Sequence, residues 1–254
     1  MREDGYREAM VGNISLYDVT GERQHTIYIG EAHEYGKGTF FQRFEKEIAG
    51  IKKQYPDALY LGIADGAKNN WSFLEQHTSR QLLDFFHVTE YLANVSYAAH
   101  PGKTDKTKRT LWLNGCCKQL KHDAGAVEVL IAEMDELTRK KRLTKVVREN
   151  LEAALTYFIN HRHMMDYSTH IEKDLPIGSG VTEAACKTLV KQRLCGSGMR
   201  WKNKGAKVIF YHYVLWFSPR GDGSSFGGRL TNMGHKFAHS VHCKESAPEK
   251  LDRL

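Results

Sequence analysis

The hydrophobic periodicity of this chain changes twice, and that limits the folds open to it. Up to about residue 99, short apolar runs of strand character alternate with helical spacing. Over residues 101–170 no convincing strand is present and the spacing is helical. A Gly-containing segment, LPIGSG at 175–180, then breaks the pattern. Such a sequence reads as an α/β core interrupted by an all-helical insert.

In the first part, residues 9–19 (AMVGNISLYDV) and 24–30 (QHTIYIG) flank a turn at Thr20-Gly21, the signature of a hairpin. Residues 39–53 place Phe40, Phe41, Phe44, Ile48 and Ile51 on one helical face. Residues 58–64 (ALYLGIA) read as a buried strand closing on Asp65-Gly66. A polar segment with Trp71 and Leu74 follows. Residues 81–86 (QLLDFF) fit a strand or a helix start, because six residues do not settle a period. Helices are expected at 88–99, 111–119, 126–141, 144–162, 181–194 and 206–217. Beyond Pro219 the Gly- and Ser-rich sequence carries no period and is expected to be poorly ordered. Four segments result: 1–99 and 175–218 as parts of one core, 100–174 as a helical insertion, and 219–254 as a tail.

The composition is that of a soluble globular protein, with 41% hydrophobic and 26% charged residues. It excludes a collagen, a rod-like coiled coil and a fully disordered chain. No apolar run approaches the roughly 18 residues of a membrane span, and MREDGYREAM lacks the apolar region of a secretory signal. The cysteines, Cys116, Cys117, Cys186, Cys195 and Cys243, are odd in number and form no CxxC pair. That fits a reducing compartment, and a cytoplasmic location is expected. His235, His239, His242 and Cys243 cluster near the end but lack a second ligand pair, so a zinc site is not expected.

Lys and Arg number 37 against 30 for Asp and Glu, a net charge of +7. The distribution says more than the total. From Ala184 to Gly221 there is no acidic residue, while Lys187, Lys191, Arg193, Arg200, Lys202, Lys204, Lys207 and Arg220 all fall there. Glu183 stands at the mouth of that stretch. A carboxylate in a first helical turn is favoured by the helix dipole, so capping is one reading. The other is metal-assisted chemistry on a phosphate backbone, with cations holding phosphates and carboxylates holding the metal. Trp201 fits either a base-stacking platform or the core. Asp65, at the end of a buried strand, is either a plain Asp-Gly turn or a carboxylate in the crevice beyond a sheet. Asp84 and His87, three apart, form a D-x-x-H pair that fits an ion pair, a cap or a site-orienting couple. A second basic run, TRKKRLTKVVR at 138–148, fits a solvated helix face or a DNA-contacting one.

Three motifs together carry a resemblance: ADGAKNNW at 64–71, LLDFFHVTEYL at 82–92 and LPIGSGVTEAACKTLVKQRLCGSGMRW at 175–201. They resemble the catalytic domain of bacterial insertion-sequence DDE transposases of the ISKra family, from about Glu3 to Ser218. The resemblance implies an RNase H-like mixed sheet with an all-α insertion before the last acidic residue. It implies Asp65 and Glu183 as the second and third of three acids that bind two Mg²⁺ (or Mn²⁺) ions. It makes Asp84 and His87 supports of that site, and Lys187, Lys191, Arg193, Arg200, Trp201, Lys202 and Lys204 its DNA-binding residues. The implied partners are DNA, as transposon ends and target, and a second copy of the chain, with no membrane.

The chain departs from the family at both ends. No strand-length apolar run precedes Asp4-Gly5, so the first acid and its central strand are expected to be missing. Both neighbours of that strand would then carry bare edges, with marginal stability. The sequence after Ser218 does not continue the family's pattern, as a shifted reading frame would produce. The reading is a transposase catalytic domain reduced to an inactive fragment. The alternatives are a non-catalytic DNA-binding remnant and a structure-specific nuclease on the same fold.

Overall fold

A computed structural model describes residues 9–32, 38–140, 142–195 and 236–244, with isolated positions at 199, 205, 208, 212 and 214. The fold is mixed α/β. The expected hairpin forms from β1 (Ala9–Tyr17) and β2 (Arg23–Ala32), antiparallel with Ile14 opposite Ile27. Asp18 closes its turn: Oδ1 accepts from the backbone N–H groups of Thr20 at 2.9 Å and Glu22 at 3.0 Å. Helix α1 (Gly38–Gln54) buries Phe40, Phe44, Ile48 and Ile51, the stripe its spacing predicts. It lies so close to β1 that a Cβ at Gly12 would stand 2.9 Å from the Phe44 ring.

The chain continues through β3 (Leu59–Ala64), α2 (Lys68–His77) and β4 (Arg80–Leu83). The Ser79 N–H donates to Tyr60 O and the Asp84 N–H to Ala64 O, both at 2.9 Å. The two bonds advance in the same direction along both strands, so β3 and β4 are parallel and α2 is their crossover. The ambiguous QLLDFF is both things: a strand to Leu83, then a helix from Phe85.

The sheet has five strands in the order β2-β1-β5-β3-β4. Its third member is β5 (Lys236–Lys244), antiparallel to β1 with Ile14 opposite His239 and Met10 opposite Cys243. This corrects two expectations. Residues 236–244 fall in the stretch read as a poorly ordered tail, yet they form a strand. That strand stands between β1 and β3, so the edges expected to be bare are paired. The rest of 219–254 lies outside the described residues, as does most of the helix expected at 206–217.

The chain divides into two compact units: Met1–Gly62 with Asn69–Ser79 and Ser179–Leu254, and Ile63–Lys68 with Arg80–Gly178. The second holds the helical insert. It comprises α3 (Phe85–Ala99), α4 (Lys106–His122), α5 (Ala126–Thr138), α6 (Lys145–His161) and the short α7 (Tyr167–Glu172). Their inward stripes, such as Val88, Leu92 and Val95 on α3 and Leu151, Ala154 and Phe158 on α6, form its core. The expected border at residue 99 does not separate α3 from these helices. In the first unit the helix expected at 181–194 is α8 (Gly180–Ala185), a π-helical segment (Cys186–Lys191) and a last turn, α9 (Gln192–Leu194). Among the described residues no helix is long and apolar enough to cross a membrane.

A chain ended just before Lys236 loses the strand between β1 and β3 and exposes two ladder edges. It is expected to aggregate and to lose its cooperative thermal transition by circular dichroism. A sharp transition at the full-length melting temperature would contradict this placement of β5.

Candidate functional site

The second unit gathers Asp65, Asp84 and His87. Strand β3 is buried from Tyr60 on and ends at Ala64, so Asp65 is the first residue past it and is half-buried. Its Oδ1 accepts from the Ala67 N–H at 3.2 Å, an Asx turn that carries the chain into α2. Asp84 is the first residue past β4, the parallel neighbour of β3. The two carboxylates therefore follow directly on the ends of adjacent parallel strands, where open α/β sheets place their ligand crevice.

Asp84 is fully buried and caps α3, its carboxylate accepting from the Phe86 N–H at 2.8 Å. His87 lies in the first turn of that helix, and its Nδ1 is 3.3 Å from Glu90 Oε2. A carboxylate oxygen of Asp84 and a ring nitrogen of His87 lie within 4.8 Å of each other. The D-x-x-H pair is thus a cap and a first-turn histidine brought side by side, and not two groups on one helical face. Ile177 and Gly178 lie beside it. The Phe85 N–H donates to Ile177 O at 3.0 Å, and a Cβ on Gly178 would stand 3.4 Å from Asp84 Oδ1.

Sequence reasoning missed three aromatic residues around these acids. The Tyr167 hydroxyl donates to Leu83 O at 3.1 Å and fixes the end of β4 from α7. Tyr91 of α3 stacks on Tyr157 of α6, ring centroids 4.0 Å apart and 16° between planes. Tyr157 sits against the Asp65 turn: a Cβ on Gly66 would stand 2.6 Å from its ring and 3.2 Å from its hydroxyl oxygen. Burial raises the Tyr157 hydroxyl well above the usual phenol range, with Tyr91, Asp65, Asp84 and Glu90 adding to the rise. Tyr91 is raised by burial first, then by Glu90 and Asp65. Nothing in the local sequence marks Tyr157, since it neighbours Phe158 in a helix whose buried stripe reads as ordinary core.

Glu183 belongs to the first unit. It lies in the first turn of α8, its N–H donating to Ser179 O at 3.0 Å, and its side chain is half-buried. Ser179 is the N-cap residue, but its side chain makes no capping bond. The Thr182 hydroxyl accepts from Asn13 Nδ2 of β1 and anchors α8 to the sheet. Beneath it Val11, Ala185, Cys186, Leu189 and Val214 form a small core. Lys187, Lys191 and Arg193 are exposed, while Arg200, Trp201, Lys202 and Lys204 lie outside the described residues. In the second basic run Arg139 and Arg148 hold partners within the insert. Arg139 pairs with Asp135 at 2.6 Å, and Arg148 donates to Thr138 O and Lys140 O, both at 2.9 Å.

Asp84 and His87 could each offer one donor to a metal ion, the carboxylate oxygen and the ring nitrogen lying within 4.8 Å of each other. No family model, curated protein or solved structure matches this chain.

Gly66→Ala is expected to push Tyr157 off the Asp65 turn. The cost should be about 1–3 kcal/mol, as for overpacking elsewhere, read as a lowered urea midpoint. His170, buried in α7, supplies the carbonyl that accepts from the Leu175 N–H at 2.8 Å and so starts the closing segment. Burial lowers its pKa below 6.5, partly opposed by the Pro176 carbonyl and Asp166. The unfolded chain then binds the proton more readily, so stability is full above about pH 6.5 and falls on acidification through that value. Urea unfolding of His170→Gln at pH 5 and pH 7 should show a smaller difference than the wild type. An equal difference would remove His170 from that dependence.

Proposed function

We propose that this chain is the catalytic part of a DDE-type DNA transposase of the ISKra family. In this reading the core is RNase H-like and holds two of the three acids. The chain binds DNA and a divalent cation but does not cut. The observation that supports it most is the placement of Asp65 and Asp84 just past the ends of two parallel strands, with an all-helical insert following in the chain. The three sequence motifs supply the rest of the argument.

The reading assigns Asp65 and Glu183 to Mg²⁺ or Mn²⁺. When bound, that metal pair supplies Lewis-acid activation of the water or DNA 3′-OH that attacks a phosphodiester. Asp84, held by its capping bond to Phe86, and the adjacent His87 orient the DNA beside the acids. Lys187, Lys191 and Arg193 grip phosphates, continued along the sequence by Arg200, Lys202 and Lys204, with Trp201 as a stacking surface. The partners are transposon ends and target DNA, and a second copy of the chain, in the cytoplasm. With two acids in place of three, the cation is held weakly and the chemistry fails.

Fluorescence anisotropy with labelled duplex DNA tests the binding half. Affinity should fall steeply with salt, and replacing Lys187, Lys191 and Arg193 by Glu should flatten the log–log slope by up to about 0.9 for each phosphate no longer neutralised. Gel assays with Mg²⁺ or Mn²⁺ should show no cleavage or strand transfer. Cleavage that requires Mg²⁺ and vanishes in Asp65→Ala would overturn the inactive half. Binding with no salt dependence would overturn the whole reading.

A further inference from the structure

The helical insert keeps its two signs of charge on separate helices. Helix α4 carries five cations, Lys106, Lys108, Arg109, Lys118 and Lys121, and no acid. Its chain neighbour α5 carries four acids, Glu128, Glu133, Asp135 and Glu136, and no Lys or Arg. Both belong to one compact unit, and the Trp112 Nε1–H donates to Glu133 Oε1 between them at 2.8 Å. Lys118 and Glu136 are exposed, with no ion-pair partner among the described residues.

Each helix also leaves a large apolar side chain outside the core. Leu111, Trp112 and Leu113 are consecutive, and an inward stripe cannot take all three, so Leu111 is 67% exposed. Val129 of α5 is 59% exposed. Leu111 and Lys118 stand seven residues apart, two turns along one face of α4, and so do Val129 and Glu136 on α5. The outer surface of this helix pair is therefore an apolar and basic ridge beside an apolar and acidic one.

Such a face complements itself. We propose that the outer α4/α5 face binds a second copy of this chain about a twofold axis parallel to the helices, α4 of each copy lying on α5 of the other. The exposed apolar side chains supply the attraction and the charges set the register. A polyanion fits less well, because the acids of α5 run alongside the cations of α4 and repel it. Joined by three residues, α4 and α5 run antiparallel, and the Trp112–Glu133 bond fixes their levels. Lys118 lies six residues past Trp112, level with the position six before Glu133 and so beside Glu128. In the twofold pair Lys118 of one copy meets Glu128 of the other, an acid that stands 3.9 Å from Arg162 of its own chain. The proposed function expects a second copy; this interface goes beyond it, resting on charge and exposure and not on DNA binding.

The test is sedimentation of the full chain over a concentration series, alongside Lys118→Glu and Glu128→Lys. Both positions are exposed, so the fold tolerates either change. The wild type should dimerise. Each variant alone sets like charges against each other at both symmetry-related pairs and should raise the dissociation constant about a hundredfold. An equimolar mixture of the two variants should recover the dimer, because the mismatches cancel across the mixed pair. A wild type that stays monomeric at about 100 µM would overturn the inference. So would variants that dimerise as the wild type does, or a mixture that stays monomeric. A monomer that loses DNA affinity in Lys118→Glu would assign α4 to DNA instead. None of these outcomes alters the salt-dependence test by which the proposed function is judged.

Discussion

Two backbone hydrogen bonds hold the acidic site in place. The Ser79 N–H on Tyr60 O and the Asp84 N–H on Ala64 O set the register of β4 along β3. Slipping that register by one residue would turn every side chain of β4 to the opposite face. It would also shift Asp84, together with the start of α3 that it caps, out of place beside β3. A cap of this kind is worth about 1 kcal/mol, but Asp84 is fully buried, so misplacing it also strands a charge. Register, cap and site position are therefore one constraint, and Tyr167 reinforces it by bonding the carbonyl of the last β4 residue.

The same geometry explains why strain collects around Tyr157. A buried hydroxyl without a partner costs about 1–3 kcal/mol. Gly66 removes the clash that would otherwise hold the ring away from Asp65. The surrounding helices are closely packed and Tyr91 lies flat against the ring, so the arrangement cannot relax by turning the side chain. Such a cost persists where the neighbouring structure over-determines it, and it is more often met at functional sites than in plain core.

Much of the architecture is legible in the sequence, and what is not legible has physical causes. The hairpin and α1 were legible because one face of each is buried, which imposes a clean period on the sequence. Helix α2 was not, because it is only ten residues long and its buried positions, Asn70, Trp71, Phe73 and Leu74, include a polar one. QLLDFF defeated periodicity because strand and helix meet inside it, at a capping Asp that belongs to neither. Strand β5 carries a weak alternation of Phe237, Val241 and Cys243 with polar residues, but the Gly- and Ser-rich sequence before it dominated the reading. Asp65, Asp84 and His87 were visible as chemistry-bearing residues. Tyr157 was not, since its place against Gly66 comes from the meeting of segments about 90 residues apart in sequence, which no local pattern records.

The two basic runs look alike in sequence and differ in what the fold does with them. In the run at 138–148, Arg139 is tied to Asp135, Lys145 lies 3.8 Å from Glu149, and Arg148 commits its guanidinium to two carbonyls at the end of α5. Arg139 and Arg148 are thus engaged at the junction between α5 and α6, and the Lys145 pair lies within α6. After Glu183 no acidic residue occurs for 38 positions, Ala184 to Gly221. Glu183 is thus the one acid near Lys187 in sequence, and further along the helix Lys191 and Arg193 have none among their close sequence neighbours. The exposed charge of these three residues adds to a field that acids of the same segment do not cancel. The two runs thus differ: Arg139, Lys145 and Arg148 of one hold partners on α5 and α6, while Lys187, Lys191 and Arg193 of the other are exposed on a segment without acids.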